Sequence, residues 1–197
     1  MTEQGINHNQ VEVAGLIQSE FQFSHEIFGE GFYTVKLLVN RLSEATDEIP
    51  LLISERLMDV TKDYRGRLVR ACGQFRSYNK HAENRNHLVL SVFVRDIEFL
   101  ESLDDVKPNH IVLDGFICKQ PVYRMTPLGR EICDILLAVN RSYGKSDYIP
   151  CICWGRNARF AGNLEIGSRI ELIGRIQSRE YQKRISENEI VKRTAYE

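Results

Sequence analysis

The sequence predicts an all-β chain with short helices, folded as two tandem five-stranded Greek-key barrels. Three observations carry this. The first is that the chain is written twice, about 100 residues apart. Val11-Glu12-Val13-Ala14-Gly15-Leu16-Ile17 aligns with Ile111-Val112-Leu113-Asp114-Gly115-Phe116-Ile117, Val39-Asn40-Arg41 with Val139-Asn140-Arg141, and Ile49-Pro50 with Ile149-Pro150. One residue of slippage later, Gly66 meets Gly167, Gly73 meets Gly174 and Ser77 meets Ser178. Each copy is far longer than a solenoid repeat, so the repeat reads as two domains of one fold. The second observation is a succession of short β-type runs bounded by Gly, Asn and Asp. The third is that glycines recur inside those runs, at Gly15, Gly73, Gly115 and Gly174. Such positions mark bulges or sharp bends at barrel corners.

In the first half, strands are predicted at 10–18, 31–41, 49–54, 67–75 and 87–100. A helical pattern at Ser54-Glu55-Arg56-Leu57-Met58-Asp59-Val60 is capped by Ser54. The second half repeats the order, with strands near 110–118, 130–141, 147–154, 168–179 and 189–197 and a short helix over 157–164. Three strands, a helix and two strands in about 95 residues is the order of the OB-fold. The predicted domains are therefore 1–100 and 110–197, with an acidic linker at 101–109 that is too short to let them move far apart.

Composition narrows the function. A hydrophobic content of 43% supports two small cores. No run of 18 apolar residues exists, and no basic-then-apolar leader opens the chain, so neither a membrane span nor a secretory signal is predicted. Five cysteines without framework spacing read as reduced thiols, which places the protein in the cytoplasm. The net charge of −1 hides an asymmetry. Residues 1–105 hold 11 Lys and Arg against 17 Asp and Glu, a net of −6; residues 106–197 hold 15 against 10, a net of +5. The basic half points to an anionic partner. Cys151 and Cys153 would share one face of a strand, but no nearby Cys or His pair completes a tetrahedral site, so they read as small buried hydrophobes. The five histidines are scattered. With no Ser-His-Asp or Cys-His set and no phosphate loop, neither an enzyme, a metal nor a cofactor is predicted.

The second half resembles the bacterial single-stranded DNA-binding protein family. The resemblance is carried by Asn109 to Phe116, Arg124-Met125-Thr126-Pro127-Leu128-Gly129, Leu136 to Arg141, Ile152-Cys153-Trp154-Gly155-Arg156-Asn157-Ala158, Gly167 to Ile176 and Ser178-Arg179-Glu180-Tyr181. It covers about 80 residues; the first half fits the same fold through the internal repeat. In that family, aromatics at four positions stack on unpaired bases, and the resemblance places these on Tyr143, Tyr148, Trp154 and Tyr181. Every base has a π-face, so stacking is sequence-tolerant, at about 1–3 kcal/mol per base. The alternative is that they are ordinary core aromatics; it is weakest for Tyr143, in the polar turn Asn140-Arg141-Ser142-Tyr143-Gly144-Lys145.

Cations supply the phosphate term. The candidates are Arg124, Lys145, Arg156, Arg179 and Lys183; Arg156 follows Trp154-Gly155 and Arg179 precedes Tyr181 by two. The family pattern departs at Pro150 and Ile166, where a cation is often found, so no phosphate contact is implied there. The last predicted strand stops short of its first-half counterpart, and no acidic-tipped tail of the family kind is read. Recruitment through such a tip is therefore not inferred.

In the first half the four aromatics correspond to Ser43, Glu48, Ser54 and Lys80, with Glu44 beside them. An acidic, aromatic-free face repels phosphate. The expected function is sequence-independent, non-enzymatic binding of single-stranded DNA in replication, recombination or repair, near the nucleoid. A homodimer with four barrels and contacts to replication or repair proteins are the expected partners. The competing function is a protein-interaction module of a replication or primosome complex.

Overall fold

The computed structural model describes residues 8–82, 85–186 and 189–197, with side chains described outside 80–86 and 185–189. It is built almost wholly from strands, and each strand follows the alternation of its sequence. In Val35-Lys36-Leu37-Leu38-Val39, Val35, Leu37 and Val39 are buried while their neighbours turn outward. Period-2 burial of β-branched residues makes one wall of a barrel.

The chain forms two compact units. The N-barrel unit comprises Val11–Gln74, Ser91–His110 and Arg175–Glu197. It contains most of β1 (Asn9–Ile17), then β2 (Gln22–Ile27), β3 (Glu30–Asn40), β4 (Thr46–Ser54), and the outer parts of β5 (Leu68–Ala82) and β6 (Arg85–Phe99). β1 pairs antiparallel with β3 at Leu16↔Leu38 and with β5 at Val13↔Ala71. β3 pairs with β4 at Val35↔Leu51, and β4 pairs in parallel with β6 at Leu51↔Val92. With β6 beside β5, the ring closes. Val13, Leu37, Ile49, Leu51, Ile53, Val69, Ala71 and Val92 fill it at zero exposure. Each fully buried Val, Ile or Leu contributes roughly 1.5–3 kcal/mol.

The C-barrel unit comprises residues 8–10, Phe75–Leu90 and Ile111–Gly174. Its strands are β7 (Asn109–Ile117), β8 (Val122–Met125), β9 (Glu131–Arg141), β10 (Lys145–Trp154) and β11 (Arg169–Gly174), with helix α1 at Arg156–Ala161. The registers copy the first barrel: Gly115↔Ile170 repeats Gly15↔Val69, and Leu113↔Leu172 repeats Val13↔Ala71. The last two strands, β12 (Ser178–Ser186) and β13 (Glu189–Tyr196), form a hairpin that belongs to the N-barrel unit. The β5–β6 hairpin end belongs to the C-barrel unit.

Each borrowed hairpin is held by the same device. In the C-barrel unit, the Asn9 side chain donates to Phe75 O (2.7 Å) and accepts from Phe75 N (2.8 Å). The Asp147 carboxylate accepts from Ser77 N at 2.8 Å, while Ser77 Oγ accepts from Tyr148 N at 2.7 Å. In the N-barrel unit, Asn109 brackets Ile176 at 2.6 and 2.9 Å. Asp47 accepts from Ser178 N at 2.8 Å, and Ser178 Oγ accepts from Glu48 N at 3.0 Å. A buried backbone group left unpaired is costly, so these Asn, Asp and Ser side chains fix where each hairpin sits.

The two aspartates differ. Burial raises Asp47, but Arg41 binds it through Nε (2.9 Å) and Nη2 (2.6 Å), Ser178 N–H donates to it and Arg175 stands at 3.3 Å, so its pKa ends below the ordinary value. Asp147 has Ser77 N–H and one Arg141 contact at 3.2 Å, and burial pushes its pKa up. Arg141 Nε is buried with no hydrogen-bond partner among the described residues, where Arg41 Nε has one.

Two elements differ from the sequence reading. Ser54–Val60 is not a helix but a pair of turns, closed by Leu57 N to Ser54 O and Lys62 N to Asp59 O. The side chains of Ser54 and Asp59 take the N–H groups of Arg56 and Thr61, offering the backbone an alternative to helical bonds. The 168–179 run is two strands rather than one: the ladder to β7 stops at Gly174, and Asn109 takes both backbone groups of Ile176. Strands β2 and β8 lie in segments where the alternation is too short to see.

Candidate nucleic-acid interface

Strand β10 organises the candidate site. Asp147 and Ile149 point inward and are buried, so the intervening parity faces out. Tyr148 and Trp154, six residues apart, therefore share the outer face, at 45% and 47% exposure. Ala138 lies across from Tyr148 and Ile132 from Trp154. The start of this strand is anchored, because the Tyr148 amide is the group that Ser77 accepts.

Tyr143 lies in the turn Ser142–Gly144 between β9 and β10 and is 99% exposed. It has φ 64° and ψ 34°, and Gly144 follows with φ 67°. A left-handed conformation costs a non-glycine residue about 1–2 kcal/mol. The turn thus holds a fully solvated aromatic in a strained conformation. Its first-half counterpart Ser43 is not among the positive-φ residues.

Tyr181 is on β12, in the other unit. Arg179, Tyr181 and Lys183 occupy alternate positions and so share one face of that strand. Tyr181 is 37% exposed, the Arg179 guanidinium carbon lies 6.0 Å from its ring centroid, and Arg179 Nε is 3.5 Å from Glu197. Arg193 stands directly across from Tyr181, a cation that the sequence reading missed.

The other cations divide into committed and uncommitted. Arg124 binds Asp134 at 2.7 Å, and Asp134 is the cross-strand neighbour of Ile152 on the aromatic face. Arg159 binds Glu131 at 2.7 Å and, with Tyr123 donating its hydroxyl at 2.6 Å, lowers the Glu131 pKa. Arg169 and His8 flank Asp114; the Arg169 hydrogen bond is the main reason its pKa falls to about 2. Lys145 and Arg156 are exposed, at the two ends of β10, and make no ion pair among the described residues. A cation without a carboxylate partner brings its full charge to a phosphate.

The first-half positions are arranged differently. Glu48 is paired with Lys36 at 2.6 Å, Ser43 is exposed, and Ser54 is buried and bonded to Glu30. The side chains of Lys80 and Arg85 lie outside the described residues. The N-barrel is nevertheless not aromatic-free. Strand β2 exposes Phe23 (63%), and the β2–β3 turn exposes Phe28 (103%, φ 50°), with Glu26 and Glu30 two residues to either side of Phe28 in the sequence. These residues escaped notice because β2 was not predicted. Cys151 and Cys153 are half-buried rather than fully buried; no group of three or more potential metal ligands occurs among the described residues. Among the described residues, no helix is long and apolar enough to cross a membrane.

The "Single-strand binding protein family" model matches residues 108–197. Single-stranded DNA-binding protein 2 of Listeria innocua is 37% identical over 94 residues, covering 42% of this chain and 59% of that protein. Single-stranded DNA-binding protein A of Bacillus subtilis is 37% identical over 81 residues, covering 38% of this chain and 47% of that protein. The chain thus spans about half the length of the curated relatives it matches. The crystal structure of the wild-type single-stranded DNA binding protein from Thermus aquaticus superposes with a TM-score of 0.72 at 19% identity, covering 87% of this chain and 85% of that one, a likeness of fold. The OB-fold predicted for both halves is therefore the observed fold. Residues 108–197, a little under half of the chain, match the single-strand binding protein family.

Proposed function

We propose that this protein binds single-stranded DNA without sequence preference and without catalysis, in replication, recombination or repair. The observation that carries this is the edge formed by β10. Tyr143, Tyr148 and Trp154 are solvent-facing along one strand and its turn, with Lys145 and Arg156 uncommitted at its two ends. Solvated aromatics give flat area for base stacking, the strained Tyr143 turn is the kind of outlier that clusters at ligand sites, and the cations follow the phosphates. Arg179, Tyr181 and Lys183 extend the same chemistry on β12, and Arg124 acts through its pairing with Asp134.

In this reading the DNA-binding half of the sequence is 110–197, the half of 1–100 is released from base stacking, and 101–109 joins them. Two barrels per chain make a homodimer of four barrels the natural assembly, in the cytoplasm at the nucleoid. A second reading holds for the N-barrel alone. Phe23 and Phe28 exposed among carboxylates suit an apolar, cationic protein surface of a replication or repair partner better than a phosphate backbone.

Trp154 is the only tryptophan. Titration with oligo(dT) should quench its fluorescence, and added salt should restore it. Absence of quenching, or affinity indifferent to salt, would refute the proposal. Because each compact unit is assembled from distant segments, point variants of the whole chain are cleaner tests than separated halves.

A further inference from the structure

The outer face of β9 and β10 carries one charged side chain between its two aromatics. Tyr148 and Trp154 face out from β10 with Pro150 and Ile152 between them. Across the ladder, on β9, Leu136 lies opposite Pro150 and Asp134 opposite Ile152. A carboxylate in this place needs a reason, because a face that meets phosphates loses affinity by carrying one. Asp134 is not hidden either: 40% of its side chain is open to solvent. Its first-half counterpart is Thr34, opposite Leu52, and the counterpart of Arg124 is Ser24. The Arg–Asp pair thus stands at this place only in the half that carries the aromatics.

The carboxylate is held in a fixed position. On β8, Val122 lies opposite Asp134 and Arg124 opposite Ile132, so the guanidinium and the carboxylate share one face. Arg124 Nε donates to Asp134 Oδ2 at 2.7 Å and Nη2 to Oδ1 at 3.4 Å. The Asp134 side chain has no other partner among the described residues. A carboxylate offers about four lone-pair sites, so acceptor capacity remains after Arg124 is satisfied. Asp134 and Trp154 are diagonal neighbours across the ladder, a spacing of about 7–8 Å that aromatic and long side chains span.

We propose that Asp134 grades single-stranded DNA by base: its carboxylate accepts a hydrogen bond from the N4 amine of a cytosine stacked on Trp154, and so favours cytosine over pyrimidines with a carbonyl at that position. This rests on the reading of β10 as the stacking edge. Stacking itself accepts every base. A fixed acceptor does not, since cytosine presents an N4 donor where thymine and uracil present the O4 acceptor, which a carboxylate repels. An unpaired strand leaves that edge of the base free to be read. Arg124 offsets the carboxylate's charge towards phosphates and aims its oxygens. The effect is one of degree: every sequence binds, and cytosine-rich strands bind more tightly than stacking alone would hold them.

Oligo(dC) and oligo(dU) isolate this contact, because the two bases share one ring size and neither carries a methyl group. Fluorescence anisotropy of the full chain with each labelled strand, at neutral pH and fixed salt, gives the ratio of the dC to the dU affinity. Asp134→Ala should lower that ratio about fivefold or more. Asp134→Asn, which keeps the shape and adds an N–H for uracil O4, should lower it at least as far. The ratio decides, because loss of a carboxylate strengthens binding of both strands alike. Melting temperatures and circular dichroism matching the parent's are expected for both variants, since the side chain is partly exposed. Ratios within about twofold of the parent's in both variants would overturn the inference and leave the stacking edge standing. Failure of both strands to bind the parent would overturn the stacking edge and this inference with it.

Discussion

Asp47 and Asp147 stand at the same place in two copies of one barrel, and they ionise in opposite directions. Both are buried, both accept a hairpin N–H at 2.8 Å, and both face an arginine. The difference lies in the number of cationic contacts: two hydrogen bonds from Arg41 plus Arg175 for Asp47, one contact from Arg141 for Asp147. Desolvation is the largest cause at both, and Asp147 feels Arg76 as well as Arg141, but the denser set of charge-assisted bonds outweighs burial only at Asp47. The lesson extends to the barrels as a whole. The same template carries a barrel with acidic flanks in one half, and a barrel with an aromatic edge in the other.

The comparison breaks most sharply at the aspartates. Asp47→Asn should destabilise the fold by about 3–5 kcal/mol, since it strands Arg41 and Arg175 around a neutral side chain. Asp147→Asn should cost less than about 1 kcal/mol, because burial already penalises its carboxylate. Equal losses in urea unfolding would show that the two devices are equivalent after all.

The glycines come next. Gly73→Ala should cost about 3 kcal/mol through collision with the Phe93 and Val94 backbone, against a change within about 0.5 kcal/mol for Gly174→Ala. Thermal melts of the two variants read this directly.

On the DNA side, Tyr143→Ala, Tyr148→Ala and Trp154→Ala should each weaken oligo(dT) binding by about 1–3 kcal/mol. Ser43→Ala, at the position matching Tyr143, should leave affinity unchanged by fluorescence anisotropy. Comparable losses would return the first barrel to DNA binding. Lys145→Ala or Arg156→Ala should each reduce the slope of log affinity against log salt by about 0.7, whereas Arg159→Ala, already bound to Glu131, should change it less.

The smallest effect is acid dependence. Asp114, held at about 2 by Arg169 and by His8, contributes stability that is complete above the unfolded value near 4 and lost as pH falls towards 2. Asp47, also lowered, has the same sign. Asp147, raised, has the opposite sign: its penalty disappears as pH falls through its folded pKa. Asp114→Asn should flatten the acid limb of a stability–pH curve, and Asp147→Asn should steepen it.

Much of this architecture was readable in the residues alone. Alternating Val, Ile and Leu declared nine of the strands' positions, the repeat declared two copies of one barrel, and Asn157–Leu164 located the helix α1 within a few residues. These are short-range properties: side-chain parity, β-branching and glycine spacing act within a few residues of themselves. Tyr148 and Trp154 were candidates through the family resemblance, and the burial of β10 turns both outward. What tertiary structure decided depends on segments far apart in sequence. Ser178 reaches Asp47, and Ser77 reaches Asp147, only because each long hairpin joins the other compact unit. Tyr181 left the unit of the other three aromatics for the same reason. Ionisation of a buried aspartate, commitment of Arg124 to Asp134 and the crowding at Gly73 are set by local dielectric, partner count and neighbouring backbone. Those quantities exist only once distant strands have packed.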